Sequence, residues 1–249
     1  MPDDDNSIML SSVRNLCDHL VERSAILFLG AGINAGIKNP QGESFPLGQD
    51  LSNWICRDLL NSAETKVGLD EAVEMAHYKL GSKAVNDYIY EKLDSFEAGA
   101  AHWALVSLPW DVIFTTNFDM LVEKAAASKD VKAAGSLKTV LTSSASLAPF
   151  NETDILYYKL HGTVDLANTP DGRLILTKSD YHFYEEYKKP LFSRLRTDLL
   201  SRNFLFVGYS LSDPNFRAIL DDCREELGVQ TLPFSYAIQH DFSSVQEAF

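Results

Sequence analysis

The residues best suited to chemistry in this chain fall directly behind apolar runs. The run Ile26-Leu27-Phe28-Leu29 ends in Gly30-Ala31-Gly32-Ile33-Asn34-Ala35-Gly36. Gly30 permits a tight turn, and Gly32, with no Cβ, lets a phosphate approach the backbone closely. The N–H groups of such a turn, with the N-terminus of a following helix, suit a pyrophosphate. Three more apolar runs end in polar residues: DVIFTT in Asn117 and Asp119, ILYYKL in His161, and NFLFV in Ser210 and Asp213. Each has a plain structural role open to it. Asn117 and Asp119 are types that cap helices or make Asx turns, His161 before Gly162 suits a turn, and Ser210 and Asp213-Pro214 suit a helix start. Taken together they point at one crevice, because ligands of open parallel sheets bind beyond the carboxyl ends of the strands.

The elements that must position these residues alternate between two periodicities. Strands are expected at Ala25–Leu29, Asp111–Thr116, Lys138–Thr142, Ile155–Leu160, Arg173–Thr177, Asn203–Val207 and Phe234–Ile238. A helix is expected at Ser11–Arg23, with Ser11 or Ser12 as its cap, and others at Met120–Ala127, from Ser179 through Tyr184, at Ser193–Ser201 and at Pro214–Leu227. Between the first two strands, a breaker-rich loop (Lys38–Gly48) is long enough to be functional. It is followed by four amphipathic stretches, Asp50–Leu60, Leu69–Leu80, Ser82–Leu93 and Ala98–Ser107. These read as a helical insertion, about 49–107, leaning on the sheet. The expected fold class is α/β: a Rossmann-like parallel sheet with helices on both faces and a helical insertion lobe, all in one domain over 1–249. Ser243–Phe249 reads as the start of a helix without a stop signal, so the chain is expected to be an excised domain or the N-terminal part of a longer protein.

Composition sets outer bounds. A chain of 249 residues with 45% hydrophobic and 11% aromatic content can bury a substantial core. A net charge of −13 gives no general electrostatic footprint for nucleic acid. Arg194, Arg196 and Arg202 are the one hint of a basic patch, and a solvated helix face accounts for them. Cys17, Cys56 and Cys223 lie far apart with no CxxC pair, so no zinc ribbon can be built from them alone. The acidic start Met1-Pro2-Asp3-Asp4-Asp5 is not a signal peptide, and no apolar run spans a membrane. A cytoplasmic, thiol-reduced protein is expected.

Four ordered motifs carry a family resemblance: Gly30-Ala31-Gly32-Ile33, Thr115-Thr116-Asn117-Phe118-Asp119, Lys159-Leu160-His161-Gly162 and Gly208-Tyr209-Ser210-Leu211. In this order they resemble sirtuins, and most closely the SIR2-like domains of bacterial antiphage-defence proteins, from about Ala25 to Ile238. The resemblance implies NAD+ as ligand. Gly30, Ala31 and Gly32 would approach the pyrophosphate, with Ile33, Asn34 and Thr116 also in the binding site. Asn117 and Asp119 would surround the nicotinamide ribose and carboxamide, His161 would engage the ribose hydroxyls, and Gly208 and Ser210 would face the adenosine half. There are departures. No cysteine lies between His161 and Gly208, where sirtuin deacylases carry four for zinc. Asn34 replaces a serine, Thr116 replaces a glutamine, and the Pro-x-Phe-Arg stretch is missing, Phe45-Pro46-Leu47 being the nearest equivalent. The changes weigh against peptide deacylation more than against cofactor cleavage.

The implied activity is NAD+ hydrolysis to nicotinamide and ADP-ribose, with Asn117, His161 and Asp119 as catalytic residues, NAD+ as substrate and no zinc. Nicotinamide leaves as a neutral molecule, so no general acid is needed. The site must stabilise an oxocarbenium-like sugar and position a water. Asn117 suits holding that water or the ribose hydroxyls without adding positive charge. A neutral His161 suits accepting a proton, since imidazole titrates near neutral pH. Asp119 would fix the carboxamide or orient Asn117. Two other readings stand beside this one: a non-catalytic NAD or ADP-ribose sensor module, and a zinc-free NAD-dependent deacylase. A constitutive NAD hydrolase would poison its own cell, so control is expected from a homo-oligomer, a larger defence complex or an additional C-terminal domain.

Overall fold

The computed structural model describes residues 2–63, 66–142, 150–180, 188–210, 214–227, 232–233 and 235–238. Six parallel strands form one sheet: β1 (Ala25–Leu29), β2 (Val112–Thr115), β3 (Ser136–Val140), β4 (Asp154–Lys159), β5 (Asn203–Val207) and β6 (Ser235–Ile238), in the order β3-β4-β2-β1-β5-β6. The four inner strands are apolar on both faces because both faces are covered. Five consecutive residues of β1 are buried. The edge strands β3 and β6 are largely exposed and carry the weakest apolar signal.

The alternation along each strand sorts the core into two layers. Ile26, Phe28, Val112, Phe114, Phe204 and Phe206 face α7 (Lys189–Ser201) and α8 (Pro214–Leu227). Leu27, Leu29, Ile113 and Tyr157 face α1 (Pro2–Val21), α5 (Ala100–Val106) and α6 (Leu121–Ala127). Phe28 is fully buried, with ring centroids 4.6 Å from Tyr209 and 5.0 Å from Phe216. Each such side chain contributes about 1.5–3 kcal/mol on leaving water.

A third core belongs to the insertion. α2 (Gly48–Ile55, widening into a π turn at Cys56–Leu60), α3 (Leu69–Leu80) and α4 (Ser82–Asp94) bury Leu51, Val73, Val85, Ile89 and Leu93 among themselves. The lobe is smaller than the 49–107 expected. α5 packs through Val106 on the sheet, because its apolar stripe meets α6 rather than α4.

Two further expectations need correction. α1 begins at Pro2, so Ser11 and Ser12 lie inside the helix rather than at its start. Arg173–Thr177 is no strand. Leu174 and Leu176 are buried in the lobe core, and the Ile175 N–H bonds the His161 carbonyl at 3.1 Å. Its alternating pattern reflects burial under the lobe rather than a place in the sheet. The expected continuation past Ser179, and the Ser243–Phe249 helix start, lie outside the described residues.

The chain leaves β1 for β2 on one side, and later crosses from β4 to β5 on the other. The strand order therefore reverses between β1 and β5, and the crevice for a ligand opens beyond the carboxyl ends of β1, β2 and β5.

Candidate active site

The glycine turn follows β1 and runs into one 3₁₀ turn, Ala31–Asn34. It is clamped to the end of β5: the Gly30 N–H bonds Val207 O at 3.0 Å, and the Gly32 N–H bonds Gly208 O at 2.8 Å. A Cβ on Gly32 would stand 2.7 Å from Gly208 O and 2.8 Å from Gly208 Cα; one on Gly30 would stand 2.6 Å from the same oxygen. Gly208 itself has φ +62, a conformation glycine adopts freely. The glycines therefore serve first to let two strand ends touch. This revises the expectation that Gly32 offers its N–H to a phosphate: that N–H is already spent on Gly208.

Asn117 lies two residues beyond Thr115, and His161 two beyond Lys159; Thr115 and Lys159 are a paired couple of β2 and β4. The two candidate catalytic residues thus leave adjoining strand ends in the same register. Asn117 is buried and receives the Thr115 Oγ1 as acceptor of its N–H at 2.9 Å. Its Nδ2 donates to Gly30 O at 3.0 Å, tying β2 to the glycine turn. This leaves Oδ1 without a partner among the described residues. His161 is half-buried in a turn that closes on Gly162, at φ +84, where a Cβ would meet the carbonyls of Gly172 and Arg173.

Asp119 is buried, and both its oxygens are engaged. Oδ1 accepts the Leu121 N–H at 3.0 Å, capping α6, and Oδ2 accepts Asn34 Nδ2 at 2.8 Å. Asn34 Oδ1 in turn meets His102 Nε2 at 2.9 Å, and His102 Nδ1 accepts the Gly99 N–H at 3.3 Å. An Nδ1 that accepts fixes the proton on Nε2, so the donors run in one direction: Gly99, His102, Asn34, Asp119. Burial lowers the His102 pKa, with the Asp119 charge pulling the other way. Asp119 makes no hydrogen bond to Asn117 among the described residues, so its link is to Asn34 instead.

Sequence reasoning assigned His102 no role. It also passed over Lys159, the one charged residue of the apolar run Ile155–Leu160, a signal that was available. Lys159 is fully buried and its Nζ donates to Asp119 O at 2.5 Å, Thr163 Oγ1 at 3.0 Å and Glu123 Oε1 at 2.8 Å. One ammonium thus joins the Asn117–Asp119 turn to the segment after His161. Glu123 Oε2 has no partner among the described residues, and burial raises the Glu123 pKa against the pull of Lys159.

A cavity of about 160 Å³ opens on this cluster. Ala31, Asn34, Thr116, Asn117 and Asp119 line it, and Phe45, Pro46, Leu51 and Phe118 are among its apolar residues. Its volume is below that of a site for a whole drug-sized ligand, and its lining suits a flat apolar ring bearing one polar group. Phe45, held by its N–H to Ile37 O at 2.8 Å, comes from the breaker-rich loop. Gly30, Gly32, Ile33, Gly208, Ser210 and His161 do not line this cavity. Ser210 is exposed just after β5. Asp213 lies outside the described residues.

A parallel sheet with a glycine turn at its switch point, and polar side chains beyond the neighbouring strand ends, defines a Rossmann-like ligand-binding domain. The SIR2-like domain family matches residues 111–249, and this chain belongs to that family. It is similar to "NAD(+) hydrolase ThsA" of Enterococcus faecium, 30% identical over 226 residues, covering 85% of this chain and 42% of that protein. A second "NAD(+) hydrolase ThsA", from Cytobacillus dafuensis, is 29% identical and covers 87% of this chain and 41% of its own length. The chain thus spans less than half the length of these curated relatives. A structure described under "Structural Basis for the Mechanism and Regulation of Sir2 Enzymes" superposes with TM-score 0.50 at 15% identity, over 96% of this chain and 89% of that one, a likeness of fold.

Cys17 is exposed, Cys56 and Cys223 are buried and all three are free; no group of three or more metal-ligating side chains occurs among the described residues. None of the described helices is long and apolar enough to cross a membrane. The three arginines form no patch: Arg194 pairs with Asp198, Arg196 with Asp222 and Glu226, and Arg202 with Asp111.

Proposed function

We propose that this chain is the NAD+-cleaving domain of a regulated, cytoplasmic NAD hydrolase acting in antiphage defence, releasing nicotinamide and ADP-ribose without zinc. The observation that carries the reading is the Oδ1 of a buried Asn117, without a partner among the described residues, at a ring-sized cavity in a chain similar over 85% of its length to a protein named NAD(+) hydrolase. In this reading the cavity takes the nicotinamide end, with the apolar residues against the ring and Asp119 and Asn34 at its carboxamide. Asn117 Oδ1 holds the water or a ribose hydroxyl, and its Nδ2 bond to Gly30 keeps the amide from turning away. His161, on the adjoining strand end, accepts the proton. Ala31 and the turn around Gly30, Gly32 and Ile33 face the pyrophosphate, with Thr116 beside it, and Gly208 and Ser210 face the adenosine half. Control comes from self-assembly, a larger complex or sequence beyond this domain.

The test is nicotinamide release from NAD+ by the full-length protein. Asn117→Ala and His161→Ala are each expected to lose about two or more orders of magnitude, as when a positioning group or general base is removed. His161→Ala should keep its melting temperature within a few degrees. Asn117→Ala leaves Gly30 O unsatisfied, so about 1 kcal/mol of stability goes with it. Release by His161→Ala at the wild-type rate removes His161 from the chemistry; a wild type that stays silent once assembled with its partners overturns the hydrolase reading in favour of the NAD or ADP-ribose sensor.

A further inference from the structure

A second and larger cavity, of about 740 Å³, lies between the α3–α4 corner of the lobe and the chain that follows His161. It shares no lining residue with the Asn117 cavity. Lys188 is its least ordinary feature. The side chain is almost completely buried, yet among the described residues Nζ donates only to two neutral carbonyls, Leu141 O at 2.5 Å and Asp171 O at 2.9 Å. An ammonium carries three donors, so one remains. No carboxylate forms an ion pair with it among the described residues. Burial pushes its pKa down to about 8, and the more distant Asp171 charge only partly offsets this.

Among the described residues, Asp171 reaches Lys188 as a charge without an ion pair, and Asp180 and Asp87 are engaged by other groups. Asp180 bonds Arg173 through Oδ1 at 3.0 Å, while Oδ2 accepts from Leu176 N, Thr177 N and Thr177 Oγ1. Lys83 pairs with Asp87. Burying an ammonium without a counter-ion costs several kcal/mol, which an incoming anion would recover. A second observation points the same way. His77 Nε2, from another residue lining this cavity, is buried with no hydrogen-bond partner among the described residues, and burial lowers the ring's pKa. The first turn of α4, at Ser82 and Lys83, forms part of the wall, and its N-cap Gly81 supplies no side-chain cap. An uncapped helix start favours negative charge. Leu174, Leu176 and Pro170 give the lining an apolar part, beside the polar Asn86, Asn168, Thr169 and Arg173, and the volume is within the range of small-molecule sites.

We propose that this cavity binds a phosphorylated small molecule with an apolar or aromatic body, the phosphate meeting Lys188, His77 and the first turn of α4 and the body lying on Leu174 and Leu176. A phosphate suits donors arriving from three walls better than a flat carboxylate does.

Phenyl phosphate and benzoate are the probes, titrated calorimetrically into the wild type, Lys188→Met and Ser82→Trp. The wild type is expected to bind phenyl phosphate saturably and more tightly than benzoate. Lys188→Met should weaken it about tenfold or more, as for loss of a charged hydrogen bond. Ser82→Trp, an exposed position at the cavity mouth, should abolish binding while the protein melts as before. If Lys188→Met does not fold, Ser82→Trp decides the matter alone. Absence of saturable binding, binding indifferent to both substitutions, or a preference for benzoate overturns the proposal. No NAD+ cleavage enters the assay, so its outcome is separate from that of the hydrolase reading.

Discussion

A buried imidazole close to a carboxylate often gains a proton, but His102 is wired against it. Its Nδ1 accepts the Gly99 N–H, and protonation would set two donors face to face. Folding thus favours the neutral ring, and burial lowers the pKa from 6.5. The unfolded chain then binds more protons below that value, so this group's contribution rises with pH and is lost as pH falls below about 6.5. His77 shifts in the same direction, so a comparison isolates His102. Chemical denaturation of the wild type should lose stability more steeply from about pH 7 to about pH 5 than His102→Gln does. Equal slopes would show that the His102–Asn34–Asp119 chain does not sense protons. The types at Asn34 and Asp119 were legible in the sequence as site candidates. Their mutual commitment was not, since a side chain's partner is no property of its own neighbours.

At the scale of elements, the glycine turn and the end of β5 act as one piece. Read as a close approach for a phosphate, Gly32 would on substitution by valine lose NAD+ binding and little else. The clamp on Gly208 alters that expectation: the branched side chain must push two strand ends apart. A stability loss of about 1–3 kcal/mol, typical of overpacking, should accompany any loss of binding. Gly48→Ala is the control, because a Cβ there meets nothing within 4 Å. Thermal unfolding checks the pair: Gly32→Val should melt clearly lower, Gly48→Ala at or above wild type, and an unshifted Gly32→Val would refute the clamp. Elements were legible wherever an apolar run had a marked end, as at Ala25–Leu29 or Pro214–Leu227. Arg173–Thr177 misled because burial beneath a lobe and burial in a sheet leave the same short apolar pattern.

Across the whole molecule, cleft and ballast lie at opposite ends of the sheet. At the amino ends of the strands, Arg202 donates to Arg23 O at 2.8 Å and pairs with Asp111 at 2.9 Å, while Arg23 donates to Trp110 O and Asp154 O at 3.0 Å each. Two guanidinium groups thus stitch β1, β2, β4 and β5 where no ligand is expected. Arg202→Ala should cost about 1–3 kcal/mol in urea unfolding and leave nicotinamide release per folded molecule unchanged. A fall in that specific rate, with stability intact, would mean the amino end reaches the active site.

The amino-acid sequence by itself determined that this is a parallel α/β sheet, where most of its strands begin and stop, and that polar residues follow four of them. Those are local properties: hydrophobic period, breakers and helix-start residues act over a few neighbours. Only the tertiary structure decided which candidate side chains remain available and which are already engaged. Asn117 meets Gly30 across 87 residues, Asn34 meets Asp119 across 85, and His102 meets Asn34 across 68. Contacts at such separation arise when the sheet closes and the lobe packs on it, so no window along the chain contains them.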